Sequence, residues 1–212
     1  MADKFSELFL DKTKQVEEQL VGGKNVTACS VSVLRRVSKL EAESGAMLRK
    51  LFNEELIQFK KSEGKDSMPT RKLYLEFLKM LRSMSALKKG FAAKLQNDLV
   101  PKFSTFNDEY ERECKRIIKD FKGSRKNLGV IRKTMRSKNP NKIKAVEEKT
   151  IEFLEKAQEL EEDRIETFKT CFEQYIKYNK SVIEQQKILS MKVDQISSSI
   201  TKSNGIKYFC DK

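Results

Sequence analysis

The sequence predicts an all-α fold, an elongated antiparallel helical bundle of long kinked helices, and three observations carry that prediction. Only eight glycines and three prolines punctuate 212 residues, so loops are scarce and the elements must be few and long. Charged residues make up 35% of the chain and are mixed with Leu, Ile, Val, Phe and Met throughout, the profile of amphipathic helices rather than of sheets or disorder. Apolar side chains recur at steps of three and four over tens of residues, which is the period of one helix face.

A short helix over 5–20 places Phe5, Phe9, Val16 and Leu20 on one side. Gly22-Gly23 is expected to end it, because paired glycines favour irregular backbone over helix. A long helix over about 26–61 follows, with Val33, Val37, Leu40, Met47, Leu48, Leu51 and Phe59 at helical spacing. The polar segment Ser62–Thr70, with Gly64 and Pro69, reads as a loop. The next helix, about 71–138, carries a stripe running from Leu73 through Phe91, Phe103, Tyr110 and Phe121 to Met135. Between Leu87 and Phe103 the stripe takes four successive steps of four, drifting off register, and Pro101 follows; a kink is predicted there. Asn139-Pro140-Asn141 is a turn. The last helix, about 142–200, is striped from Ile143 through Leu154, Phe168 and Val182 to Ile200. Residues 1–200 thus form one helical domain, with 201–212 as a C-terminal tail.

Helices of about 60 residues are about 90 Å long and cannot bury an apolar stripe alone. The turn at Pro140 makes its two helices antiparallel neighbours, and the helix over 26–61 packs beside them. Large Phe and Met side chains spill off that seam, which predicts a homodimer that completes the core.

Histidine is absent, which removes the commonest general base, the Ser-His and Cys-His nucleophiles, and His-ligated metal sites. No phosphate loop or dinucleotide fingerprint occurs. The carboxylate pairs Glu147-Glu148 and Glu161-Glu162 lie in charge-rich helices and read as solvated faces. The sequence therefore argues against an enzyme and calls for no cofactor and no metal. Cys29, Cys114, Cys171 and Cys210 form no CxxC pair, the usage of a reducing cytoplasmic compartment. No signal peptide, lipidation box or run of about 20 apolar residues is present, so any membrane contact is expected to be peripheral.

The net charge is +13, and most of it has one address. Twelve bases lie between residues 115 and 144: Lys115, Arg116, Lys119, Lys122, Arg125, Lys126, Arg132, Lys133, Arg136, Lys138, Lys142 and Lys144. The same window holds one acid, Asp120, and none follows from Lys122 to Lys144. The run brackets the turn at Pro140, the end of a long hairpin. Part of it complements a helix C-terminus. Its inner half, Lys115 to Arg125, is expected to pair with the returning helix, where nine acids and three bases lie between Glu147 and Glu166. The outer bases have no such partner, and Lys142 and Lys144 sit in a first helical turn, where the dipole disfavours cations. Nucleic-acid binders of single strands interleave bases with aromatics, and here only Phe121 is available, so the expected partner is an anionic membrane surface rather than nucleic acid.

Two segments resemble the F-BAR (extended Fes-CIP4 homology) domains of the BAR superfamily. Gln158-x-Leu160-Glu161-Glu162-x-Arg164-Ile165-x-x-Phe168-Lys169 is similar to that family's late core helix, and Leu40-Glu41-x-x-Ser44-Gly45-x-x-Leu48-x-Lys50-Leu51 to an earlier one. Ala86 through Phe106 resembles the core segment between them. Ser44 stands where the family usually has Tyr, and Val37 where it usually has Arg. The resemblance implies a curved antiparallel dimer whose basic concave face and tips bind phosphatidylserine- or phosphoinositide-rich membrane, plasma or endosomal, with Arg35 joining the concave face. It also implies a role in curvature sensing or generation, in endocytosis or cytoskeletal control, and GTPase or actin-regulatory partners. The alternative reading is a coiled-coil adaptor in a GTPase or cytoskeletal pathway whose basic run binds an acidic protein.

Overall fold

The computed structural model describes residues 13–61, 69–133 and 140–201, and their side chains except at 13, 69, 124–133, 140–143, 146 and 147. Among the described residues all regular structure is helical: α1 (Thr13–Lys61), α2 (Pro69–Lys94), a π turn (Leu95–Leu99), α3 (Val100–Lys133) and α4 (Pro140–Ser199). Pro69 and Pro140 open α2 and α4, where a missing N–H goes unmissed and the ring presets the helical φ.

The predicted kink is a π turn. Each step of four overshoots a helical turn, so Leu87 to Phe103 drifts by about 160° on a plain α-helix. Widening the backbone at Leu95–Leu99 inserts an extra residue and returns the stripe to the core; Leu95 and Leu99 are both buried. Pro101, which lacks a donor and crowds the carbonyl four residues back, follows immediately.

The chain divides into two compact units. The first comprises residues 1–33 and 100–172. Its core joins Val16 and Leu20 of α1, Tyr110, Cys114, Ile117 and Phe121 of α3, and Leu154 and Ala157 of α4. Phe103 meets Phe168 edge-on at 4.9 Å. The Cys114 thiol donates to the Leu20 carbonyl at 3.7 Å, and Lys24 lies 3.7 Å from Glu111. Residue numbers rise on one helix as they fall on its neighbour, so α3 runs antiparallel to both α1 and α4.

Here the structure corrects the sequence reading. No break occurs at Gly22-Gly23: α1 passes through both without interruption. Gly23 serves close approach rather than termination. A Cβ there would collide with the Tyr110 hydroxyl and lie 2.9 Å from both Arg164 Nε and Glu161 Oε1. The glycine costs the helix about 1 kcal/mol, and the packing of three helices offsets it.

The second unit comprises residues 34–99 and 173–212. In it α1 and α2 cross through small residues. Ser38 Oγ donates to the Ala92 carbonyl at 3.0 Å, and Ser85 Oγ to the Gly45 carbonyl at 2.6 Å. A Cβ on Gly45 would lie 3.0 Å from the Ser85 carbonyl oxygen. Lys88 and Glu41 pair across this contact at 2.8 Å. Phe52 is buried between Arg49 and Arg82, each 5.8 Å from its ring centre. On the α4 side the packing is sparse. Phe91 meets Tyr175 at 5.8 Å and Tyr178 donates to Asp98, but no side chain from Glu173 to Ser199 is buried.

Candidate functional site

The basic run begins on α3 in the first unit. Lys115 is exposed and sits 2.9 Å from Glu111, and Arg116 sits 2.6 Å from Glu113. Both partners are on α3 itself, one turn back. This overturns the expected pairing of these two bases with the returning helix: i,i+3 and i,i+4 geometry offers a nearer acid than any cross-helix arrangement. Lys115 and Lys24 together hold the Glu111 carboxyl below the usual carboxylate range. Lys119 and Lys122 are both exposed, and neither has an ion-pair partner among the described residues. Lys144, on the first turns of α4, is exposed, with Glu148 at 3.9 Å.

Arg125, Lys126, Arg132 and Lys133 fall on the backbone of α3 and Lys142 on that of α4, but their side chains lie outside the described set; Arg136 and Lys138 lie outside the described residues altogether. Arg35 is exposed on α1, in the second unit. The structure therefore positions Lys115, Arg116, Lys119 and Lys122 along one stretch of α3.

The acids of α4 are used locally as well. Glu152 pairs with Lys156 and Glu166 with Lys169. Exposed pairs of this kind are weak, so none immobilises the base it touches.

One carboxylate departs from the solvated-face reading. Glu161 is only 5% exposed. It accepts the Tyr110 hydroxyl on one oxygen and both Nε (3.0 Å) and Nη2 (2.7 Å) of Arg164 on the other. Burial, reinforced by the bond to Glu161, pushes the Tyr110 phenol well above its ordinary range. Burial likewise pushes the Cys114 thiol up to about 11. A charged residue reads as exposed in sequence; the usable signal was Arg164 three positions on, able to reach back to Glu161 on the same helix. Tyr110 and Glu161 of this cluster are buried, and the Arg164 side chain is 15% exposed. Among the described residues no His, Cys, Asp or Glu group could hold a metal ion, and no described helix is long and apolar enough to cross a membrane.

No family model and no curated protein sequence matches the chain. Solved structures do. The crystal structure of the Hof1p F-BAR domain aligns over 100% of this chain and 97% of its own, with a TM-score of 0.68 at 11% identity. The EFC/F-BAR domain of Drosophila Syndapin/PACSIN aligns over 98% of this chain and 86% of its own, with a TM-score of 0.41 at 14% identity. The whole of the chain, from its first helix to its last, has the fold of an F-BAR domain.

Proposed function

We propose that this chain is a peripheral membrane scaffold that acts as a homodimer and binds anionic phospholipid, phosphatidylserine or phosphoinositide, through its basic run, at the cytoplasmic face of the plasma or an endosomal membrane. The observation that carries the reading is the absence of any acid between Lys122 and Lys144, across the segment that joins α3 to α4. The likeness to the Hof1p F-BAR domain supports a curvature scaffold in general, and the one-turn-back pairing of Lys115 and Arg116 supports bases that can exchange a weak acid partner for a phosphate. About four bases engaging at about 1 kcal/mol each give weak, salt-sensitive adsorption. Two such runs on one dimer multiply it by avidity.

The dimer reading has its own support. α1 uses Val31, Leu34, Ser38 and Phe52 for packing within the chain, yet leaves Val33, Leu40 and Met47 at 57, 64 and 70% exposed. A helix that keeps an exposed apolar face after its packing within the chain has a face left for a second copy. GTPase or actin-regulatory partners would then be recruited to the membrane by the scaffold.

Liposome co-sedimentation tests the lipid reading. Binding should rise with anionic lipid content and fall at least about tenfold when Arg132, Lys133, Arg136 and Lys138 become Glu. Binding indifferent to lipid charge or to that variant overturns it. Strong capture of an acidic protein without liposome binding would favour the adaptor alternative.

A further inference from the structure

A groove of about 490 Å³ in the second unit has Thr70, Leu73, Tyr74 and Phe77 of α2 as one wall and Val193 and Ser197 of α4 as the other. The α2 wall is tied to α1. The Tyr74 hydroxyl donates to Glu55 at 2.7 Å, the Tyr74 ring lies 5.6 Å from that of Phe59, and the Arg71 guanidinium lies over Phe59 at 4.2 Å. A wall held in place in this way lowers the ordering cost of filling the groove. Yet Tyr74 and Phe77 remain 38 and 41% exposed, so apolar surface is left open. The α4 wall belongs to the last two turns of that helix, where the Ile200 N–H donates to the Ser197 carbonyl at 3.1 Å. The chain thus leaves α4 within a few residues of a side chain that lines the groove.

The sequence that follows Thr201 has a polar stretch and then an apolar one. Lys202, Ser203, Asn204 and Gly205 carry no apolar side chain, and Asn-Gly is a dipeptide that reverses the chain. Ile206, Tyr208, Phe209 and Cys210 come directly after it. We propose that this segment folds back along α4 and fills the groove of its own chain, setting Ile206, Tyr208 and Phe209 against Leu73, Phe77 and Val193. The proposal is independent of the lipid and dimer readings above. The lengths agree: Thr70 to Phe77 rises about 10 Å along a helix, and the four residues from Ile206 to Phe209 cover about 13 Å when extended. An extended segment sends alternate side chains to opposite sides, so Ile206 and Tyr208 meet one wall and Phe209 the other. Each of the two rings brings about 150–250 Å² of surface to bury. A tether of a few residues also holds the segment at a local concentration in the millimolar range. A second copy or a separate partner has to displace it before taking the groove.

The chain contains no Trp, so Phe209→Trp on the full chain supplies a single fluorescent reporter, and Tyr208→Trp a second. A docked ring loses most of its contact with water, so either reporter should emit at shorter wavelength and be quenched by acrylamide at least about threefold less than in the same chain carrying Phe77→Asp or Val193→Asp. Phe77 is exposed and Val193 half-buried, and circular dichroism verifies that each variant remains helical. Reporters that are freely quenched in the intact chain overturn the proposal, and so does protection that neither Asp variant removes. Freely quenched reporters together with a loss of dimer mass in the Asp variants, read by light scattering, assign the groove to a second copy and overturn it too. One mixture separates a chain's own groove from its partner's: the Phe209→Trp/Phe77→Asp chain refolded with an excess of the unsubstituted chain. A reporter that stays quenchable in that mixture supports docking within one chain. Recovered protection places the segment in the groove of another copy and overturns the proposal.

Discussion

In the first unit, large side chains from three helices close over one another: Tyr110, Phe103, Phe121, Leu20 and Leu154 are all essentially inaccessible, and even a carboxylate, Glu161, is enclosed. In the second unit α1 and α2 approach closely at Ser38, Gly45, Ser85 and Ala92, and Leu34, Phe52 and Leu78 are buried. Its α4 segment leaves Ile176, Ile183, Ile188 and Met191 exposed. Apolar grooves of about 350 Å³ (Ala86, Leu87, Ile188, Leu189) and about 490 Å³ (Leu73, Phe77, Val193) lie between α2 and α4. The first unit encloses a core of large side chains from its own chain, whereas the second presents more of the surface that association covers. Substitutions should therefore act through folding in one unit and through assembly in the other.

Arg164→Ala should break that comparison most severely if it is wrong. Removing one partner of an enclosed ion pair strands Glu161 as an uncompensated buried charge, with an expected loss of about 3–5 kcal/mol. Chemical denaturation at fixed protein concentration reads it, because dimer stability depends on concentration. Ile183→Ser, in the second unit, should change monomer stability by less than about 0.5 kcal/mol and instead shift the dimerisation equilibrium seen by light scattering. Equal losses of folding stability from both variants would erase the distinction.

The same contrast explains what could be read from the sequence. On α3 one face meets the core, so the stripe Phe103, Tyr110, Cys114, Ile117 and Phe121 predicted the buried residues directly. On α1 two faces are apolar, and the stripe through Val33, Leu40 and Met47 proved to be the outward one, while the inward face is built on Val31, Leu34, Ser38 and Phe52. On α2, Phe77 belongs to the predicted stripe yet is 41% exposed, whereas Leu78 is 1% exposed. Periodicity finds a face but does not say which neighbour it meets. The basic run was legible as charge, since counting needs no geometry. Its local pairing was not, because sequence proximity to an acidic stretch of another helix is a weaker guide than an acid one turn away. Gly22-Gly23 misled for a related reason: glycine propensity is a local quantity, and the group that requires Gly23 is Tyr110, far along the chain.

Those two glycines give the next largest effect, with opposite signs. Gly23→Ala introduces a methyl group against Tyr110, Glu161 and Arg164, a cluster whose hydrogen bonds prevent it from yielding, and should destabilise by about 1–3 kcal/mol. At Gly22 nothing lies within 4 Å of a built Cβ, so Gly22→Ala should stabilise the helix by up to about 1 kcal/mol. Thermal unfolding of the two variants side by side checks the pair. Stabilisation by both would mean that the three helices of the first unit approach less closely than the structure places them.

The smallest effect is absent at neutral pH and appears only in alkali, and it too belongs to the first unit. Burial raises the Cys114 thiol to about 11, against about 8.5 for an unfolded cysteine, and raises the Tyr110 phenol as well. Both groups are neutral when protonated, so the folded chain holds its protons more tightly than the unfolded one. Their contribution is complete below the unfolded values and is lost as pH rises through the folded ones. For Cys114 the window is about 8.5 to 11. In the second unit, Tyr74 is also raised, chiefly by its hydrogen bond to Glu55, but it is 38% exposed, so its protonation state matters less to packing. Cys114→Ala should therefore flatten the stability curve between about pH 8.5 and 10, below the onset of the Tyr110 contribution, while Tyr74→Phe leaves its shape there unchanged. A curve that keeps its slope between about pH 8.5 and 10 in the Cys114 variant would mean that the slope arises outside the enclosed core, and that the first unit is more open to solvent than its packing indicates.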